Sequence, residues 1–290
     1  MKMLFCFGLG YSAKTLGRRL LAEDWRVAGT ARSAEASAKA GQEGFECVLF
    51  DGQSRSVEAA ELVSEASHIL VSIPPGEEGD AALGLHGDDL AGSQNLKWIG
   101  YLSTVGVYGD WAGEWVDETS EPRPIGPRSQ KRLAAEGAWL AFGETHALAA
   151  HVFRLPGIYG PGRNALATLK SGRARRVIKP GQVFNRVHVA DIASALALSM
   201  AQPRAGAIYN VCDDEPAPPQ DVIAYAAELL GVEPPPEIAF EEADLSPMGK
   251  SFYGECKRVS NALIKTEFDF TPEFPNYREG LKALCETEGA

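Results

Sequence analysis

An α/β fold, a parallel sheet with helices on both faces, is predicted by three observations. Strand-length apolar runs recur along the chain as "MLFCFG", "RVAGTAR", "ECVLFDG", "HILVSIP", "WIGYLST" and "AAHVFRLPG", and helical segments separate them. That alternation marks βαβ units. Short continuous apolar runs imply strands buried on both sides. A glycine turn, "GLGYSA", joins the first strand to an amphipathic helix whose Ala13, Leu16, Leu20 and Leu21 fall on one stripe.

The elements follow in order. The opening "MKMLFCFGLGY" places a Lys before an apolar run, as a signal peptide does. The run breaks at Gly8 and Gly10 and passes into the helix, so it predicts a first β-strand. Beyond the sixth strand, "ASALALSMA" predicts a helix, "AIYNVC" a strand, and "PQDVIAYAAELLG" a helix closed by a glycine cap. From Glu233 the chain turns rich in proline and charge with poorly marked strands, which places a smaller lobe there.

Composition narrows the functional classes. The 290 residues are 45% hydrophobic and 23% charged, ordinary globular usage. A net charge of -11 and a pI near 5.0 argue against nucleic-acid and anionic-membrane partners. The five cysteines are Cys6, Cys47, Cys212, Cys256 and Cys285. They are scattered without a CxxC pair, so neither a disulfide framework nor a metal site is expected, and a cytoplasmic location is. No apolar stretch reaches the 18 residues of a membrane span.

"FGLGYSAKTLG" fits G-x-G-x-x-A at Gly8, Gly10 and Ala13. Glycines permit the tight turn and the close approach of a pyrophosphate, which rests at the helix N-terminus beside Tyr11 and Ser12. The expected fold is therefore a Rossmann-type doubly wound sheet with a smaller C-terminal substrate lobe. The second strand ends in "GTARS". An acidic residue there would favour NAD, whereas Arg32 offers a cationic fork to a 2'-phosphate, with Thr30 and Ser33 as neutral donors. NADP(H) is favoured over NAD(H), and an Arg on a solvated loop is the plainer account. Phe50 and Asp51 close the third strand where a carboxylate reaches an adenine amino group. Ser72, Ile73 and Pro74 close the fourth, beneath the adenosine and ribose.

With "GLGYSA", "YLSTVGVYG", "FRLPGIYGPGRN", "NRVHVADIASAL" and "YNVCDDEPAP" in this order, the chain resembles the extended short-chain dehydrogenase/reductase family of NAD(P)-dependent nucleotide-sugar epimerases, dehydratases and reductases. The resemblance implies an NAD(P)-binding domain over residues 1–160, a mixed segment over 161–232 serving sheet and substrate cleft, and a small substrate lobe over 233–290. It puts the family's Ser/Thr at Thr104, with Ser103 beside it, to hydrogen-bond the reacting oxygen. It also implies a Tyr-x-x-x-Lys on the next helix, and here the chain departs. In "GPRSQKRLAAE" Arg132 takes the Lys position and Arg128 the Tyr position. The other register, with Lys131 as the Lys, puts Pro127 where Tyr belongs.

A guanidinium stays protonated at physiological pH and cannot act as the base. Arg128 and Arg132 would share a helical face suited to an anion, and a solvated basic face explains them equally well. Replacement proton donors are Tyr108, Tyr159 and His188, each also a common packing residue, with Tyr108 first to test. The resemblance sets Pro156 and Gly157 against the nicotinamide ring and Arg163 and Asn164 toward substrate. Arg186 and His188 lie on a substrate-side strand where Arg186 meets a phosphate or carboxylate, or a surface ion pair.

Two functions follow. One is an NADP(H)-dependent oxidoreductase or epimerase-like enzyme on a small anionic molecule, sugar-derived as one class, with a non-standard proton donor. The other is a non-catalytic NAD(P)-binding protein that senses or reports redox state. Homodimerisation is a further expectation from the resemblance.

Overall fold

The computed structural model describes residues 2–288. In chain order the first half alternates strictly: β1 (Met3–Phe7), α1 (Tyr11–Leu21), β2 (Arg26–Ala31), α2 (Ala34–Gln42), β3 (Glu46–Leu49), α3 (Val57–Glu65), β4 (His68–Val71), α4 (Ala81–Gly92) and β5 (Trp98–Thr104). Then come β6 (Trp115–Val116), α5 (Pro127–Thr145), β7 (Ala149–Leu155), β8 (Gly157–Tyr159), α6 (Ala165–Lys170), β9 (Arg176–Ile178), β10 (Arg186–His188) and α7 (Val189–Ala201). The last elements are β11 (Ala207–Asn210), α8 (Pro219–Leu230), β12 (Glu237–Ala239), α9 (Pro247–Tyr253), β13 (Arg258–Val259), α10 (Ala262–Phe268) and α11 (Tyr277–Glu288). Every strand and helix anticipated from the apolar runs is present. The glycine cap of α8 is Gly231, left-handed at φ 65°.

The chain forms two compact units. Unit 1 gathers the stretch to Thr104, Gly126–Arg154 and Ile192–Tyr209; unit 2 gathers Val105–Ile125, Leu155–Asp191 and the stretch from Asn210 on. The contiguous divisions expected at residues 160 and 232 differ from this, because the chain passes back and forth between the units.

Unit 1 holds a seven-stranded sheet in the order β11-β7-β5-β4-β1-β2-β3. The β1–β2, β2–β3, β1–β4 and β4–β5 pairs are parallel. From β1 the chain builds outward to β3 and then in the other direction from β4, the doubly wound order that sets helices on both faces. The centre is apolar except for His68 at the start of β4: β1 and β4 are buried along their length, and Phe5, Phe7, Ile69, Val71, Tyr101, Trp139 and Val152 lie in one core. Burial on both faces fails at β3, whose Leu49 is 53% exposed, because an edge strand has only β2 beside it. Close packing sets α1: a Cβ at Gly17 would lie 2.7 Å from the Phe45 ring.

Unit 2 uses two-stranded parallel pairs, β10–β8, β12–β9 and β13–β6. The strands after Glu233 are two or three residues long and pair with segments far back in the chain, which is why they left little periodic trace. Tyr277, Leu281, Val222 and Leu166 lie in a second core. Among the described residues, no helix is long and apolar enough to cross a membrane, and no cluster of His, Cys, Asp or Glu could hold a metal ion.

Candidate cofactor and substrate sites

The end of β1 and the start of α1 form a shaped turn in unit 1. Gly8 is left-handed at φ 93°, and a Cβ there would sit 2.8 Å from Ile73 Cγ2 and 3.0 Å from Ser72 Oγ. The turn is held from both neighbouring strands. Gly8 N–H donates to Thr30 Oγ1 at 2.9 Å, and Ser72 Oγ donates to Gly8 O at 2.6 Å. Gly10 caps α1 without any side-chain hydrogen bond, and the space a Cβ would enter is open except for Ser72 Oγ at 4.0 Å. An uncapped helix N-terminus beside open space suits a diphosphate. These residues fit a dinucleotide, with Tyr11 and buried Ser12 opening the helix.

Three residues expected on the cofactor take other parts. Thr30 is 2% exposed with its oxygen on Gly8 N–H, so it shapes the turn. The Phe50 ring packs into the core against Phe7 and His86, with centroids 5.8 and 5.2 Å away. Buried Ser103 donates its hydroxyl to Glu136. By contrast, Arg32 is exposed with no partner among the described residues. Ser33 caps α2 through Ala36 N–H at 3.2 Å and keeps its own O–H to donate. Asp51 is exposed at the end of β3 and accepts from Gln53 N–H at 2.9 Å, and Pro74 is exposed after β4.

The helix on which the resemblance expects Tyr-x-x-x-Lys is α5. Arg132 lies over the Tyr101 ring, with Cζ 5.6 Å from the centroid, and donates from Nη1 to Leu102 O at 2.7 Å and Tyr101 Oη at 3.2 Å. Arg128 is exposed in the first turn and has no partner among the described residues. The shared anion clamp is therefore divided: Arg132 is tied to the end of β5, while Arg128 faces solvent. One turn on, Glu136 pairs with Arg154 at 2.7 Å, both side chains 3% exposed or less. This buried pair and Ser103 join α5, β5 and β7 beside Thr104, which is half-buried. No local pattern announced it, because its members are 18 and 33 residues apart.

In unit 2, Tyr108 is fully buried and donates to Asn210 Oδ1 at 2.8 Å. The phenolic O–H of this first-choice proton donor is thus already given to an amide oxygen in a packed setting. Tyr159 is also buried, its phenol pushed up by desolvation; Gly280 packs directly on its hydroxyl, where a Cβ would collide. Asn164 caps α6, accepting from Ala167 N–H at 2.9 Å and donating to Gly160 O at 3.0 Å, so its side chain is held by the backbone. Pro156 and Gly157 join β7 to β8, with Gly157 exposed, and Arg163 is exposed in the loop before α6.

His188 is buried against Phe274, with centroids 4.1 Å apart. Burial lowers its pKa to about 4, and its Nε2 has no partner. Arg186 donates from Nη1 to Phe184 O and Ala217 O at 2.9 and 3.1 Å, and burial lowers its pKa. Asp213, which the sequence reading missed, is 3% exposed, and desolvation raises its pKa to about 8 despite Arg186 nearby.

Known proteins align with this description. Residues 86–212 match the model of the NAD dependent epimerase/dehydratase family. A solved structure of a functionally unknown conserved protein from Silicibacter pomeroyi is 47% identical over the whole of both chains, with a TM-score of 0.90. Protein YeeZ of Escherichia coli is 28% identical over 273 residues, 91% of this chain and 94% of that protein. dTDP-glucose 4,6-dehydratase from Bacillus anthracis, solved with NAD, shares the fold at 18% identity, with a TM-score of 0.76 and coverage of 99% and 96%. The class defined by the glycine turn and doubly wound sheet is the Rossmann-type fold. Within that fold, residues 86–212 carry the match to the NAD dependent epimerase/dehydratase family, and Arg128 and Arg132 stand where the resemblance expects Tyr and Lys.

Proposed function

We propose that the chain is an NADP(H)-dependent oxidoreductase or epimerase-like enzyme acting on a small anionic, sugar-derived substrate. The observation that carries the reading is the open, uncapped N-terminus of α1 behind the clamped Gly8 turn, with Arg32 exposed at the end of β2 and without a partner among the described residues. Bound NADPH would supply a hydride at the nicotinamide. The chain's own residues do the rest: Gly10 and the α1 N-terminus receive the diphosphate, Arg32 and Ser33 a 2'-phosphate, and Thr104 hydrogen-bonds the reacting oxygen.

Arg128 stands at the positive end of α5 with no acidic residue in that first turn, an arrangement that an anionic ligand group relieves. Within unit 2, Arg163 and Arg186 are the cations proposed for anionic groups of a substrate. The proton donor is a group other than a tyrosine at position 128.

A non-catalytic, cofactor-reporting protein is the second reading. It is favoured by two findings: Arg128 occupies the tyrosine position, and Tyr108 donates its hydroxyl to Asn210. The test begins with fluorescence titration of NADPH and NADH, followed by turnover with nucleotide sugars, aldehydes and ketones. Preference for NADPH that reverses in Arg32→Asp supports the assignment, and an unchanged preference removes Arg32 from it. Tight cofactor binding without turnover of any substrate class favours the second reading.

A further inference from the structure

The β10 strand carries Arg186, whose guanidinium is fixed by one nitrogen alone. Nη1 donates to Phe184 O and Ala217 O, two residues that themselves form a β-bridge, and the Tyr277 ring lies 5.9 Å from Cζ. Its other donors, Nε and Nη2, have no partner among the described residues, and it forms no ion pair with any of them. Asp213 donates its backbone N–H to Arg186 O at 2.8 Å, which sets it beside β10. Its Oδ1 accepts a long contact from Glu215 N–H at 3.4 Å, and its buried Oδ2 has no partner.

A cation and a carboxyl group thus stand near each other without pairing, each with unused hydrogen-bonding capacity. Leaving the buried Asp213 Oδ2 unsatisfied is costly, Arg186 is half-buried with its fork unused, and a ligand able to bond to both removes the cost. We propose that Arg186 and Asp213 form a recognition site for the carboxylate of a sugar acid.

The Arg186 fork of Nε and Nη2 matches the two oxygens of a carboxylate. Desolvation holds Asp213 protonated at neutral pH, its pKa raised to about 8, so its O–H donates to the same group. One cation and one neutral acid balance a monoanion. A phosphate dianion would leave a second charge uncompensated in a buried setting. The assignment rests on the proposed enzyme reading only for the sugar character of the ligand, since the site is built wholly within unit 2.

The experiment is calorimetric titration of the protein, with and without NADPH, using D-glucuronate, D-glucose and inorganic phosphate. Glucuronate binding at least about tenfold tighter than glucose, and tighter than phosphate, is expected. Arg186→Gln should abolish that preference while NADPH affinity is unchanged. Arg186→Lys, which keeps the charge but loses the fork, should weaken it. Asp213→Asn, which keeps a donor, should retain it. Equal binding of glucuronate and glucose, stronger binding of phosphate, or a preference that survives in both Arg186 variants would overturn the site. Loss of preference in Asp213→Asn would remove Asp213 from it. Failure of NADPH to bind, with glucuronate recognition intact, would instead count against the cofactor reading.

Discussion

Alanine at Gly10 separates cofactor binding from folding. Gly10 has φ -87° and ψ -168°, extended backbone open to any residue, and an added Cβ meets nothing closer than Ser72 Oγ at 4.0 Å. Loss of a glycine N-cap costs at most about 1 kcal/mol, so the Tm should fall by no more than about 2–4 °C. The new methyl would stand where the diphosphate approaches the α1 N-terminus. Even a loss of about 1.4 kcal/mol there weakens NADPH tenfold, and a larger loss is expected if the diphosphate must be displaced. Gly8→Ala behaves differently. Its φ of 93° costs an alanine about 1–2 kcal/mol, and contacts of 2.8 and 3.0 Å with Ile73 and Ser72 add about 1–3 kcal/mol of overpacking. Thermal melts and fluorescence titrations of both variants decide the matter. Wild-type NADPH affinity in Gly10→Ala would refute the diphosphate assignment, and equal destabilisation by the two changes would refute the steric account.

Further outcomes follow from the buried polar groups. Tyr108→Phe should leave Asn210 Oδ1 short of its phenolic donor and cost about 1–3 kcal/mol in urea unfolding; unchanged stability would mean that the bond is dispensable. Glu136→Ala strands a buried Arg154 and should cost about 3–5 kcal/mol. A loss below about 1 kcal/mol would show that water replaces the partner. Asp213 has a folded pKa of about 8, raised above the usual carboxylate range by burial. The native state therefore holds a proton that the unfolded chain releases, and Asp213 costs stability progressively as pH rises from about 4 to 8. Asp213→Asn should gain stability relative to wild type across that window, and parallel pH profiles of the two proteins would contradict the shift.

The central sheet and the glycine turn were legible from the sequence alone because their causes are local. A strand buried on both faces must be apolar along its length, and a backbone at φ 93° beside Ile73 and Ser72 must be glycine. Such requirements act on consecutive residues and leave a mark in them. The departure at Arg128 and Arg132 was equally plain, being a matter of residue identity. What tertiary structure alone decided is which polar groups meet. Thr30 turns to Gly8 rather than outward, Arg132 to Leu102 O, Tyr108 to Asn210 and Ser103 to Glu136, and Arg186 comes to lie beside Asp213. The short strands β12 and β13 exist because distant segments pair with them. A hydrogen bond across 102 residues, as between Tyr108 and Asn210, depends on chain topology, and no periodicity in the intervening sequence records it.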